Sequence, residues 1–413
     1  MHCSLLENNF NEQILMQIAP FKLEQYFAKH EFTAKYMLSS SDCDGFPMEQ
    51  ILQQATAEEL ELWNNLTLGY TEGLGSPFLR EAICRFYSNA KPENVLVASP
   101  GELSFILMNV LMSGKEKHHA VVVSPAYQSL YQVLESLDCD ISYWKPREAD
   151  SSAACGSACG EERSCSAAWN YDVADLRKLV REDTRLIVIN FPHNPTGAYL
   201  TPGQLNEIVE IARSCGAYLY SDEMYRELII KDGIEALPPV SDIYEKGISL
   251  WGTAKSFGMA GLRTGWFVSQ DRALLKEIHS FKDYLSICSS APSEVLTTIA
   301  LNHAERFIGP NIEKIKENVA FFKEAVEAGK LPFVEAFAEP VAGSVAFVEI
   351  NPSKAAYLLD FEPRTALEFS DAIVEKYGIM TIPATMFETD GNYLRIGFGR
   401  ENFKEVLEKL YKK

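Results

Sequence analysis

Three segments of the chain place reactive side chains at the ends of short β-branched runs. Residues 186–190 lead into Phe191-Pro192-His193-Asn194-Pro195-Thr196-Gly197. The prolines and the glycine fix a tight turn after a strand, where α/β sheets bind ligands. Asn194 brings an amide able to donate to a ligand oxygen. The next run ends in Tyr220-Ser221-Asp222-Glu223-Met224-Tyr225. A carboxylate there is either a helix N-cap or a partner that keeps a heterocyclic nitrogen protonated. Tyr225 reaches the same place if the chain turns helical. The third run leads to Gly252-Thr253-Ala254-Lys255-Ser256, then Gly261-Leu262-Arg263-Thr264-Gly265. A lysine in such a loop suits Schiff-base chemistry, because desolvation and nearby positive charge lower its pKa. Arg263 lies among glycines that let the backbone approach a ligand, as a phosphate-binding arginine requires. Taken singly, each segment has an ordinary alternative: a turn, a cap, a surface lysine.

Such loops need a rigid support. Strands are expected at Val95–Ala98, 120–123, 141–144, 186–190, 218–221, 248–251 and 265–268, with helical apolar spacing between them at 103–112, 129–137 and Pro202–Cys215. This alternation predicts an α/β fold, a mostly parallel seven-stranded sheet sandwiched by helices. Residues 1–45 read as a helical arm ending in the polar stretch 39–45. Residues 151–168, SSAACGSACGEERSCSAA, interrupt the pattern and read as a solvated surface loop. After 290 the pattern changes: a long helical stretch at 294–330, strands near 346–350 and 393–398, and helices at 365–377 and 402–411. The expected organisation is a large domain over 46–290 with an insert at about 150–169. A smaller α+β domain is built from 1–45 plus 291–413.

Of the 413 residues, 57 are Asp or Glu and 38 are Lys or Arg, a formal charge of -19. So acidic a chain is not expected to bind nucleic acid or an anionic membrane, both of which need a basic face. A local positive pocket for a small anion remains compatible. The nine cysteines include no CxxC pair. The cluster Cys155, Cys159, Cys165 lacks a neighbouring histidine at metal-ligand spacing, so reduced thiols are expected and a metal is not. Residues 1–20 lack the basic and apolar regions of a signal peptide, and no apolar run approaches a membrane span. The expected compartment is the cytoplasm.

In this order and spacing the three segments resemble the fold-type-I pyridoxal-5′-phosphate enzymes, specifically the class I/II aminotransferases of the aspartate aminotransferase superfamily. The resemblance runs from about residue 19 to about residue 403. It implies pyridoxal 5′-phosphate as cofactor. Lys255 matches the lysine that carries the cofactor as a Schiff base and later shuttles the Cα proton. Asp222 matches the carboxylate that keeps the pyridine nitrogen protonated, making the ring an electron sink. Asn194 and Tyr225 match the pair that bonds its O3′, and Arg263 matches the phosphate arginine. The turn Ser99-Pro100-Gly101-Glu102 matches the segment whose amides hold the phosphate at a helix N-terminus. Tyr127 matches the aromatic stacked on the ring, with a core aromatic as the alternative. The loop 68–75 matches the one whose tyrosine, here Tyr70, reaches the phosphate of a neighbouring subunit, which implies a homodimer with shared sites. Arg395, on a strand otherwise built for burial, matches the arginine that forks onto a substrate α-carboxylate; a structural ion pair is its alternative.

The chain also departs from that pattern. Relatives have serines one and three residues before the lysine; here those positions are Ala254 and Gly252, with Thr253 the candidate replacement. The stretch 284–292 lacks the second arginine that binds a substrate side-chain carboxylate, so acidic substrates are not expected. Ser41, Asp42 and Asp44 lie in the segment that lines the substrate pocket in relatives. They suggest a polar or cationic amino acid, against the plainer reading of a solvated loop. The expected activity is an aminotransferase moving an amino group from a non-dicarboxylic α-amino acid to a 2-oxo acid. The alternative within the fold is a lyase, cyclase, synthase or oxidase acting on an amino acid.

Overall fold

A computed structural model describes residues 17–31, 33–114, 116–147 and 169–412. Its strands, numbered in chain order, divide among three sheets. β1 (Tyr36–Met37) belongs to a two-stranded pair. β2 (Val95–Ala98), β3 (His119–Val123), β4 (Asp140–Trp144), β5 (Thr184–Asn190), β6 (Tyr218–Asp222), β7 (Gly247–Gly252) and β8 (Gly265–Ser269) form the large sheet. β9 (Val334–Phe337), β10 (Val345–Ile350), β12 (Ile382–Pro383) and β13 (Tyr393–Gly397) form a third, while β11 (Ile379–Met380) partners β1.

The seven expected strands are all present, in the order β2-β8-β7-β6-β5-β3-β4. β8 runs antiparallel to both neighbours and every other pairing is parallel. Every residue of β2, β3, β7 and β8 is buried, because helices cover both faces. The two-residue period sorts β5 between two cores: Leu186 and Val188 join one, Ile187 and Ile189 the other. The helix Pro100–Met112 packs on the first face and the helix Pro202–Cys215 on the second.

The register brings the chemistry to one edge. Asn190 pairs with Asp222, and Asp222 with Leu250, so the loops after β5, β6 and β7 leave the sheet side by side. The smaller sheet is antiparallel in the order β12-β13-β10-β9, and Arg395 of β13 sits opposite Phe347 and Ile382. The parallel pair β1–β11 ties the N-terminal segment to the C-terminal part of the chain.

Two expectations change. The stretch 294–330 is two helices, Ala291–Asn302 and Glu305–Glu327. The chain breaks at His303, whose ring lies 3.0 Å from the Glu59 carboxylate. β1, within the expected helical arm, and β9, β11 and β12 were not expected, because segments of two to four residues are too short for alternation to show. The insert 151–168 lies outside the described residues. Before it, Arg147 bridges to Asn170 and ion-pairs with Asp175 at 2.6 Å. Among the described residues no His, Cys, Asp and Glu group could hold a metal ion, and no helix is long and apolar enough to cross a membrane.

Candidate active site

A cavity of about 490 Å³ opens at the edge where β5, β6 and β7 end. Asn190, the last residue of β5, braces its floor. Its Oδ1 accepts from the Asn194 N–H at 2.9 Å and its Nδ2 donates to the Asp222 carbonyl at 2.8 Å. Asn194 in turn accepts at Oδ1 from Arg395 Nη1 at 3.1 Å, leaving its amide N–H groups for the cavity.

Asp222 ends β6 and meets both of its expected readings. Its Oδ1 accepts from the Met224 N–H at 3.1 Å, as a cap does, and it also lines the cavity. Burial pushes its carboxyl up to about 6, while the Met224 N–H and the Lys255 charge act the other way. The chain after it forms a hydrogen-bonded turn, Arg226 N–H to Glu223 O at 2.8 Å, which carries Tyr225 into the same cavity. Tyr225 is 3% exposed and its hydroxyl has no partner among the described residues. Such a buried, unsatisfied hydroxyl costs free energy unless a ligand completes it.

Lys255 follows β7, and its Nζ donates to Ser41 Oγ at 2.9 Å. Arg263 reaches the cavity from a left-handed backbone, φ 54°, which a residue with a Cβ adopts at a cost. The helix Pro100–Met112 begins at the same wall. Ser99 makes no side-chain cap bond, so the Gly101 and Glu102 N–H groups are left for an anion. A Cβ at Gly101 would meet nothing within 4 Å, whereas one at Gly265 would strike Pro100 at 2.7 Å. Gly265 thus lets β8 approach this helix start.

Tyr127 lines the cavity, and its hydroxyl donates to Glu24 at 2.6 Å. Arg395 is 1% exposed. It donates through Nε and Nη2 to the Ser39 carbonyl at 3.2 and 3.0 Å and lies over the Phe387 ring at 5.3 Å. Burial pushes its pKa down; Tyr225, Asp42, Tyr127 and Glu24 act the other way. It has no carboxylate partner within ion-pair distance among the described residues, so the structural ion pair named as its alternative is not what holds it. Ser41 and Asp42 line the cavity, and Asp42 pairs with Arg400 at 3.2 Å.

Three expected residues lie elsewhere. Thr253 is fully buried, and its hydroxyl faces the carbonyls of Met259 and Thr264 at 3.3 and 3.2 Å. It therefore does not replace the missing serines. The Glu102 carboxylate, to which no role was assigned, accepts from the Ser286 N–H at 3.2 Å. Tyr70 is 88% exposed and does not line this chain's own cavity. Asp44 also lies apart, paired with Lys314 at 2.9 Å.

Sequence reasoning missed Glu24, Phe27 and Glu31, which line the cavity from the helix Lys22–His30 and its C-cap. Their spacing of three and four residues marks one helical stripe and was available as a signal. Asn190 was read only as the end of a strand. Gly397 and Gly399 were also passed over. A Cβ at Gly397 would overlap Ser40 O, and one at Gly399 would meet Asp42 O at 2.6 Å. These glycines form the notch that seats the 39–42 segment against β13.

Asp222 gives the fold a testable pH dependence. Its folded pKa of about 6 lies above the ordinary 3.8, so the folded chain keeps the proton longer than the unfolded one. Stability from this group is greatest below the unfolded value and is lost as pH rises through the folded one, about 3 kcal/mol in all. In chemical denaturation of cofactor-free protein, the wild type should lose stability relative to Asp222→Asn between about pH 4 and about pH 7. A constant difference across that window would refute the desolvated carboxylate.

A large, mostly parallel sheet flanked by helices, with a lysine, a carboxylate and an arginine around its strand ends and a second arginine reaching the same cavity from the smaller sheet, defines a fold-type-I pyridoxal-phosphate enzyme. Comparison with known proteins agrees. The model of the family "Aminotransferase class I and II" matches residues 33–410, and the chain belongs to that family. It is 26% identical over 381 residues to capreomycidine synthase of Streptomyces vinaceus, covering 91% of this chain and 88% of that one. It is 23% identical over 360 residues to an aspartate aminotransferase of Sulfurisphaera tokodaii, covering 82% of each. A PLP-dependent aminotransferase from Streptococcus suis superposes with a TM-score of 0.80 at 25% identity, over 95% of this chain and 96% of that one. The cofactor is pyridoxal 5′-phosphate, and the cavity fits it. The unpartnered Tyr225 hydroxyl, the open space at Gly101 and the buried, desolvated Asp222 carboxylate match a phenolic oxygen, a phosphate and a pyridinium nitrogen in turn.

Proposed function

We propose that this enzyme is an aminotransferase that moves an amino group from an α-amino acid, not a dicarboxylic one, to a 2-oxo acid. The observation that carries the reading is the convergence of Lys255, Asp222, Asn194, Tyr225, Arg263 and Arg395 on one cavity. Bound pyridoxal phosphate supplies an electrophilic carbon and an electron sink. Lys255 would hold it through Nζ and would move the proton at the substrate Cα; Ser41 steadies that Nζ. Asp222 would keep the ring nitrogen protonated, Asn194 and Tyr225 would donate to the ring oxygen, and Tyr127 would cover the ring. Arg263 and the N–H groups of Gly101 and Glu102 would hold the phosphate. Arg395 takes the substrate carboxylate with a guanidinium aimed by Ser39 and Asn194.

We propose further that the enzyme is a homodimer, with Tyr70 of each subunit reaching the phosphate of the other. Leu68, Tyr70 and Tyr284 are 87%, 88% and 89% exposed, and Thr71 Oγ1 ties their two loops together through Ser289 O at 3.0 Å. A concentrated exposed apolar patch of this kind suits a subunit contact. The same reading divides the chain into a cofactor-binding part, 46–290, and a smaller part, 1–45 with 291–413. It places the enzyme in a reducing cytoplasm, consistent with the unpaired Cys43, Cys84, Cys139, Cys215 and Cys288.

The test is a single half-reaction. Holoenzyme mixed with α-amino acids and no acceptor should release one 2-oxo acid per site, and adding a 2-oxo acid should then restore the starting spectrum. A second reading, a cyclase, synthase or other lyase-type enzyme, draws on the similarity to capreomycidine synthase. It gives the opposite result: the amino acid shifts the spectrum, and the product keeps its amino group.

A further inference from the structure

The proposed reaction uses the cationic floor of the cavity and leaves its mouth without a task. There Glu24 and Glu31 face in from the first helix and its C-cap, and Asp42 faces them from the 39–42 segment. These carboxylates repel one another: burial, then Asp42, then Glu24 push Glu31 upward in pKa, with Arg400 and Lys255 acting the other way. Asp42 is paired with Arg400 and Glu24 accepts from Tyr127. The Glu31 carboxylate has neither an ion pair nor a hydrogen bond among the described residues. Holding like charges around a cavity costs free energy that a bound cation would offset.

Glu24, Phe27 and Glu31 line the same cavity as Lys255 and Arg395, so a molecule held at the cationic floor extends toward them. The two charge poles also lie within electrostatic reach of each other, Glu31 of Lys255, and Asp42 and Glu24 of Arg395. One substrate can therefore span both poles, its carboxylate on Arg395 and its side chain toward the mouth. A volume of about 490 Å³ leaves room for a long side chain beside the cofactor.

Resting on the reading of this cavity as an amino-acid site, we propose that Glu31, with Asp42 and Glu24, selects substrates whose side chain ends in a cation. Both a guanidinium and an ammonium group satisfy that chemistry. A carboxylate accepts a guanidinium in a two-bond fork and an ammonium as a point charge. A neutral side chain leaves the Glu31 carboxylate unpaired, and an acidic one adds a fourth negative charge, so the mouth rejects as well as attracts.

Citrulline has the shape of arginine without its charge, and comparing the two isolates the effect. Holoenzyme is titrated spectroscopically with arginine, ornithine, lysine, citrulline and glutamate. At least one cationic amino acid should bind about tenfold or more tighter than citrulline, with glutamate weakest. Arginine against the two ammonium compounds then tells which cation is preferred. Glu31→Gln should reduce the cation-to-citrulline ratio to about threefold or less. Glu31 is exposed, so the variant is expected to fold, and its bound-cofactor absorbance reports that the site is intact. Equal binding of citrulline and every cation, or an unchanged ratio in Glu31→Gln, overturns the cation preference and leaves the aminotransferase reading standing. No response to any of a full set of α-amino acids overturns both.

Discussion

Lys255→Ala should reduce turnover by about 10⁴-fold or more, and the cofactor it binds should keep the absorbance of the free aldehyde. The expectation follows from two separate tasks at one atom. The Nζ is the proposed covalent attachment point for the cofactor, and it is also the base positioned to move the Cα proton. At present it lies 2.9 Å from Ser41 Oγ. Removing the side chain ends both tasks and frees Ser41 Oγ, while the supports of the other cofactor residues remain. Asp222, Asn194 and Tyr225 are held by β5, β6 and the turn after β6. The variant should therefore still bind the cofactor, now non-covalently, and added primary amines should restore part of the proton transfer. An unchanged cofactor spectrum in Lys255→Ala, compared with the wild type, would show that the attachment lies elsewhere.

The large sheet was readable from the chain because its strands are buried on both faces and therefore appear as short, continuous β-branched runs. The site at its edge was readable for a related reason. Asn194, Asp222 and Lys255 each follow such a run directly, and parallel register then forces their loops together. Residues that reach the cavity from other elements were harder to find. Glu24 and Glu31 lie on a short helix and its C-cap, whose polar stripe looks like any solvated face until the fold turns it toward the cavity. Thr253 shows the opposite failure. Its place beside the lysine made it a natural phosphate ligand, yet the chain doubles back there, and its hydroxyl is used on Met259 and Thr264. Sequence position cannot tell which side of such a turn a hydroxyl faces. Asp44 went astray similarly, two residues from Asp42 but turned toward Lys314. The smaller sheet and the β1–β11 pair were only partly visible, since two-residue strands such as β1, β11 and β12 are defined by partners distant in the chain.

Arg395→Ala should weaken binding of every α-amino acid to a similar degree, by about 2–5 kcal/mol, or some 30-fold or more in half-saturating concentration. The guanidinium is buried, and Asn194 and the Ser39 carbonyl fix its orientation, so it presents a fixed fork to whatever carboxylate enters. That carboxylate is common to all the substrates, whereas the Glu31 mouth meets only their side chains. The two variants should consequently separate the two recognitions: Arg395→Ala lowers all affinities together, and Glu31→Gln changes their ratios. Arg395→Lys keeps the charge but loses the fork and should fall between wild type and Arg395→Ala. Part of the loss in Arg395→Ala comes from Asn194, whose Oδ1 would lose its donor, so the bound-cofactor spectrum should shift slightly while substrate affinity collapses. A large cofactor shift with substrate affinity preserved would instead make Arg395 a structural support for Asn194. A loss confined to one side chain would remove it from the carboxylate altogether.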